Sequence, residues 1–173
     1  MKAMIISDIH GGIKYLEQAL EQYEEEKAER LIILGDFSGY FNSSSDYEVA
    51  EILNDFLGEI TAIRGNCDNE GFEEMLKFSL MDIRHINLNG KVITLTHGHL
   101  YNKYSLPEYC GEIFLSGHTH YGMIEKTEEK IYANPGSITK PRNGSEHSYL
   151  IIDENKITLK NLEGKILIEE NIK

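Results

Sequence analysis

Two imidazoles stand two residues apart in Gly117-His118-Thr119-His120, one residue after the apolar run Ile113-Phe114-Leu115. One such pair carries little weight. Four other places repeat the same grammar of apolar run, small residue and then a metal-ligand type. They are Ser7-Asp8-Ile9-His10, Gly35-Asp36, Gly65-Asn66-Cys67-Asp68 and Thr96-His97-Gly98-His99. Carboxylate, amide and imidazole together form the hard and borderline donor mixture that a pair of divalent transition metals takes.

The elements that must position these residues can be read from the hydrophobic pattern. Residues 3–7 and 31–34 are apolar on both faces, as buried strands are, and 60–63 reads as a third strand. Between them, Tyr15, Leu16, Ala19, Leu20 and Tyr23 recur at helical spacing. Val49, Ala50, Leu53, Phe56 and Leu57 do the same, with Ser45 or Asp46 expected as the cap. Alternating strand and helix predicts a parallel sheet covered by helices. A short helical stretch is expected over 71–77. Asn89-Gly90 then joins strands 84–88 and 91–96 in a hairpin. Residues 100–111 read as irregular, 113–116 as a strand, and the chain from 130 onward as all-β, with strands at 131–133, 148–153, 157–162 and 165–169. The pattern predicts an α/β protein with a parallel first half and an antiparallel second half. Most simply these form two packed mixed β-sheets flanked by helices, a β-sandwich of α/β/β/α layers in one domain spanning 1–173. In such sheets, sites form beyond the carboxyl ends of strands. Asp8, Asp36, Asn66, His97 and His118 each fall just past one.

Composition narrows the function. A chain of 173 residues can bury a core without staples, and its 40% apolar and 27% charged content is that of an ordinary globular protein rather than a disordered or fibrous one. The formal net charge of −12, with scattered Lys and Arg, argues against nucleic acid as the main partner. Bound cations could still reverse the sign locally for a phosphate ester. Two cysteines, Cys67 and Cys110, make no disulfide framework and predict a reducing compartment. The apolar N-terminal run is too short for a signal peptide, and no stretch approaches the ~20 apolar residues of a membrane span. The expectation is a soluble cytoplasmic protein; a homo-oligomer stays open.

The ordered set Asp-x-His, Gly-Asp, Gly-Asn-x-Asp, His-Gly-His and Gly-His-x-His resembles the calcineurin-like metallophosphoesterase superfamily, and within it the small single-domain phosphodiesterases of bacteria and archaea. The resemblance covers residues 4 to about 142, including Asn134-Pro135-Gly136-Ser137 and Pro141-Arg142. It implies that Asp8, His10 and His120 hold one metal, that Asn66, His97 and His118 hold the other, and that Asp36 bridges them. His99 is placed beside a ligand or the phosphate. The implied cofactors are two divalent ions, manganese first, with iron, nickel, cobalt or zinc also compatible. The implied reaction is hydrolysis of a small phosphodiester or nucleotide-like substrate by a hydroxide bridging two cations roughly 3.5–4 Å apart. Positioning and charge stabilisation supply most of what this chemistry needs, so no protein nucleophile is expected.

One position departs from many relatives, which carry His in the middle of Gly-Asn-x-Asp as a leaving-group acid. Here it is Cys67, a weak hydrogen-bonder poorly suited to an alkoxide, so acidic leaving groups and diesters are expected. Asp68 is expected to orient its neighbours. His85 and His147 read as packing or surface residues, and Cys110 as a small hydrophobe. Asn134, Ser137 and Arg142 are candidates for loop or phosphate contact, and Gly39 and Tyr40 for the substrate mouth. Two functions compete: a catalytically silent interaction scaffold of the same fold, and a phosphomonoesterase. A scaffold has no use for the ligand set, and Cys67 and the lack of a long second domain disfavour the monoesterase.

Overall fold

The structure, a computed structural model, describes residues 1–39 and 43–173. The strands β1 (Ala3–Ile6), β2 (Arg30–Ile33) and β3 (Glu59–Ala62) alternate with helices α1 (Ile13–Glu25) and α2 (Ser44–Asp55), and a single turn, α3 (Glu70–Glu73), follows. Next come β4 (Ile83–Leu88), β5 (Lys91–Thr96), β6 (Ile113–Leu115), β7 (Gly122–Lys126) and β8 (Ile131–Pro135). The last three strands are β9 (Ser148–Ile152), β10 (Lys156–Asn161) and β11 (Ile166–Asn171). One sheet has the order β11-β10-β9-β1-β2-β3 and the other β4-β5-β6-β8-β7.

Side-chain alternation splits each buried strand between two cores. Met4, Ile6, Leu31 and Ile33 face α1 and α2, while Ile5, Ile32 and Leu34 meet Ile93, Leu95, Ile113 and Leu115 from the other sheet. Truncating any one of these fully buried Ile or Leu side chains costs about 2–5 kcal/mol. Residues 31–34 lack a polar face because neither side of β2 meets water.

The structure corrects several expectations. The second half is not purely antiparallel: β5, β6 and β8 run parallel. The segment 97–112 is long enough for the crossover that parallel pairing demands. The strands β9, β10 and β11 return to the first sheet, where β9 lies antiparallel against β1. The strand β7 is an edge strand, with a glycine at one end and Glu125-Lys126 at the other, that the pattern did not reveal. Among the described residues the helices contribute to the core on the first sheet's side only. The outer face of the second sheet meets the irregular segment, where the Gly111 N–H donates to Thr94 Oγ1 at 2.9 Å. The α2 cap is Ser43 rather than Ser45 or Asp46. Asp46 takes the reciprocal role, accepting from the Ser43 N–H at 2.8 Å. Leu57 lies beyond the helix, fully exposed, whereas Phe56 packs edge-on against Tyr23.

The hairpin is as expected, with Asn89 and Gly90 both at positive φ (54° and 83°), the geometry of a type I′ turn. Tyr40 lies outside the described residues. Among the described residues no helix is long and apolar enough to cross a membrane.

Candidate metal centre

The site lies where β1, β2, β3, β5 and β6 release the chain at one end of the two sheets. Asp8, His10, Asp36, His118 and His120 all sit at positive φ, between 46° and 68°. Left-handed backbone costs a non-glycine residue roughly 1–2 kcal/mol. It also turns each side chain out of its strand direction and towards a common point. Backbone bonds hold these turns: the Asp8 N–H donates to the Gly35 carbonyl (3.0 Å), the His10 N–H to Asp36 (2.9 Å) and the Gly117 N–H to His97 (2.7 Å). Gly117 has no room for a side chain, since a Cβ there would strike Ser7 Oγ and lie 2.9 Å from Asp8 Oδ2.

Two groups of ligand atoms result. Asp8, His10, Asp36 and His120 each offer an atom within 4.8 Å of the others, and so do Asp36, His97 and His118. Asp36 belongs to both. Its Oδ2 lies 3.6 Å from His10 Nε2 and 3.4 Å from His97 Nε2, while its Oδ1 accepts from the Cys67 N–H at 2.8 Å. Asn66 joins the second group through Oδ1, 3.2 Å from His97 Nε2. His99 stays outside both groups. It is exposed, its ring 5.3 Å from that of His97 and 6.2 Å from that of His118.

Second partners orient the imidazoles. His97 Nδ1 donates to the Leu34 carbonyl (2.6 Å) and His120 Nδ1 to the Lys140 carbonyl (2.7 Å). A neutral ring so held presents Nε2 as a lone pair, the arrangement a metal requires. Asp8 Oδ2 accepts from the His118 N–H (3.0 Å), but its buried Oδ1 has no hydrogen-bond donor among the described residues. The nearest imidazole nitrogen, His120 Nε2 at 3.2 Å, carries no proton in that tautomer. A buried carboxylate oxygen facing lone pairs is the environment a cation would satisfy, so the donor set fits a divalent pair.

Electrostatics point the same way. Burial alone would raise the Asp36 carboxyl, but the hydrogen bond and charge of His97, the Cys67 N–H and the charge of His10 hold it well below the usual carboxylate range. Burial lowers His97, and the Asp36 carboxylate more than reverses this. A proton shared there occupies the place of positive charge, and metal binding would release it. Burial pushes Asp68 up to about 6, against the pull of backbone N–H groups. Those donors belong to Asp36, Phe37, Ser38 and Gly65, at 2.8–3.3 Å, so Asp68 ties the β2 exit to the β3 exit.

Asn134 and Ser137 serve the turns that carry the ligands. Asn134 Nδ2 donates to the Gly117 carbonyl (2.7 Å) and to Thr119 Oγ1 (3.1 Å), and Ser137 Oγ donates to the Asp8 carbonyl (2.7 Å). The Arg142 N–H donates to the His120 carbonyl (3.0 Å), and its side chain is exposed. His85 and His147 lie elsewhere, bonded to Thr94 and to the Ile138 carbonyl. Cys110 is half-buried. Gly39 donates its N–H to Asp46 Oδ1 (2.8 Å). The roles of the Leu34 and Lys140 carbonyls had no sequence signal, because any residue supplies one.

The profile of the calcineurin-like phosphoesterase superfamily domain matches residues 1–156, and the chain belongs to that superfamily. Phosphodiesterase YfcE of Escherichia coli strain K12 is 33% identical over 178 residues, covering 98% of this chain and 97% of that protein. A solved structure of the E. coli YfcE phosphoesterase superposes with a TM-score of 0.92 at 31% identity, covering 100% of both chains. Phosphodiesterase MJ0936 of Methanocaldococcus jannaschii is 29% identical over 147 residues, 79% of this chain and 83% of its own length.

Replacing Asp8 by Asn should separate fold from metal. The amide would keep the bond from the His118 N–H and turn Nδ2 towards His120 Nε2. Metal-free Asp8→Asn should therefore melt higher than the metal-free parent, by about 2–4 °C if one hydrogen bond worth about 1 kcal/mol is gained. It should also lose the rise in Tm that Mn²⁺ gives the parent. A variant that melts lower without metal, or that Mn²⁺ still stabilises equally, contradicts this geometry.

Proposed function

We propose that this protein is a phosphodiesterase that hydrolyses a small phosphodiester with the help of two divalent cations. The observation that carries the reading is the single oxygen of Asp36 facing both ligand groups at once. On this assignment Asp8, His10 and His120 serve one cation, Asn66, His97 and His118 the other, and Asp36 is shared. Manganese is the first choice for a mixed oxygen and nitrogen set. Bound there, such a pair neutralises phosphate oxygens and lowers the pKa of a water.

The chain's own residues do the rest. Leu34 and Lys140 fix the tautomers of His97 and His120. Asp36 stays ionised through the neutral range. His99 is lowered by partial desolvation and by the neighbouring His97 and His118, so at neutral pH it is an uncharged imidazole able to meet a phosphate oxygen. Cys67 is pushed up to about 12 by burial and then by Asp36, so its thiol stays protonated and is not a nucleophile. It is also a weak donor to a leaving alkoxide. Leaving groups that depart without a strong acid are favoured, which agrees with diesters and with the phosphodiesterase names of the relatives. We also read 1–173 as one domain, because β9 to β11 complete the sheet that β1 begins. A cytoplasmic location suits two free thiols.

Mn²⁺-loaded protein should hydrolyse bis(p-nitrophenyl) phosphate, and exhaustive chelation should silence it until Mn²⁺ is restored. Asp36→Asn should reduce the rate at least about 100-fold and lower the bound metal, since loss even of an outer partner costs 10–100-fold. A parental rate in the variant contradicts the assignment. Cys67→His should raise turnover of an alkyl phosphate, whose alkoxide needs a proton to leave, relative to p-nitrophenyl phosphate by about tenfold or more, within the range of general-acid effects. An unmoved ratio contradicts the leaving-group argument.

A further inference from the structure

A cleft of about 710 Å³ opens on the outer face of the second sheet and reaches the metal centre at His118. Its floor continues the strand that delivers that histidine. Phe114 and Ser116 lie on one face of β6 and its extension, two residues or about 7 Å apart, and His118 follows. Tyr132 stands opposite Phe114 in register, their ring centroids 6.1 Å apart at 56°. Met123 lines the same cleft from β7, and Tyr104 stands at its rim, 88% exposed. Tyr104 occupies the tip of a tight turn closed by paired backbone bonds between Asn102 and Ser105 (3.1 and 3.0 Å). The Lys103 ammonium lies 5.1 Å from the Tyr104 ring centroid and is bound to Glu125 at 2.7 Å.

We propose that this cleft receives a flat aromatic or heteroaromatic group, of nucleobase type, carried by the phosphodiester substrate. The proposal rests on the phosphodiesterase reading of the adjoining centre. Its chemistry follows from the walls. The half-buried Tyr132 ring, backed by the buried Phe114, the exposed Tyr104 ring and a thioether favour stacking with a planar ring, and the volume falls within the 300–1,000 Å³ of ordinary small-ligand sites. Lys103, the one lysine among the described lining residues, is already paired with Glu125, so the cleft has little to offer a second phosphate. Continuity with His118 places the ring beside the scissile phosphate rather than at a separate site. The exposure of Tyr104 is that of a stacking partner awaiting a guest.

The test uses the full-length protein loaded with Zn²⁺ and labelled with [methyl-¹³C]methionine, titrated with adenosine, which carries no phosphate. The Met123 methyl signal, assigned through Met123→Leu, should move saturably while those of Met4 and Met75 stay. Ribose at the same concentration should move nothing. Tyr104→Ala, a surface change that leaves the fold intact, should weaken adenosine binding about tenfold. A Met123 signal unmoved near the solubility limit of adenosine overturns the proposal, as does a shift equal across all methionines. A Met123 signal that moves with protein concentration alone would place a second copy of the chain in the cleft, and that also overturns it. Diester hydrolysis measured on the same sample separates the two readings. Turnover without a Met123 response removes only the cleft proposal, and a Met123 response without turnover removes only the phosphodiesterase.

Discussion

The buried oxygens of Asp8 and Asp36 lie among imidazole nitrogens, and one of them, Asp8 Oδ1, meets no donor among the described residues. A carboxylate oxygen without a donor is costly inside a protein. Every surrounding feature can be read as containment. Five of the gathered residues adopt left-handed backbone, a strain tolerated where the neighbouring structure over-determines it. Asp68 clamps four N–H groups across two strand exits, and Ser137 and Asn134 pin the turns from behind. Cations would satisfy the unpaired Asp8 oxygen, and the fold holds the candidate ligands ready for them as pre-organisation.

Two sheets are needed because one cannot bring enough strand ends to a point. The first contributes Asp8, His10, Asp36 and Asn66, and the second His97, His118 and His120. The apolar layer between them, from Ile5 and Ile32 to Leu95 and Leu115, fixes their relative position. That layer holds the carboxylate side of the centre against the imidazole side. A change in its packing would be felt as altered distances around Asp36 before it was felt as unfolding.

Much of this was legible in the chain, and the illegible parts share a cause. Strands buried on both faces, such as 31–34, announce themselves by uninterrupted apolar residues, and Asn89-Gly90 is one of the few dipeptides suited to a type I′ turn. The candidate ligand residues stood out because several motifs agree in order. By contrast, β7 opens on a glycine and ends on Glu125-Lys126, as an edge strand can, so only two of its residues are apolar. The parallel pairing of β6 with β8 depends on contacts distant in sequence. Leu57 continues a helical pattern that the turn into β3 cuts off. At the site, the Leu34 and Lys140 carbonyls orient His97 and His120, and no side chain marks that role. The donors on Asp68 are likewise main-chain groups.

The central claim is that Asp36 lies between two cations, and anomalous diffraction from crystals grown with Mn²⁺ tests it most directly. The account predicts two peaks per chain about 3.5–4 Å apart, one beside Asp8, His10 and His120, the other beside Asn66, His97 and His118, with Asp36 touching both. A single peak, or two peaks with Asp36 bound to only one, would contradict it.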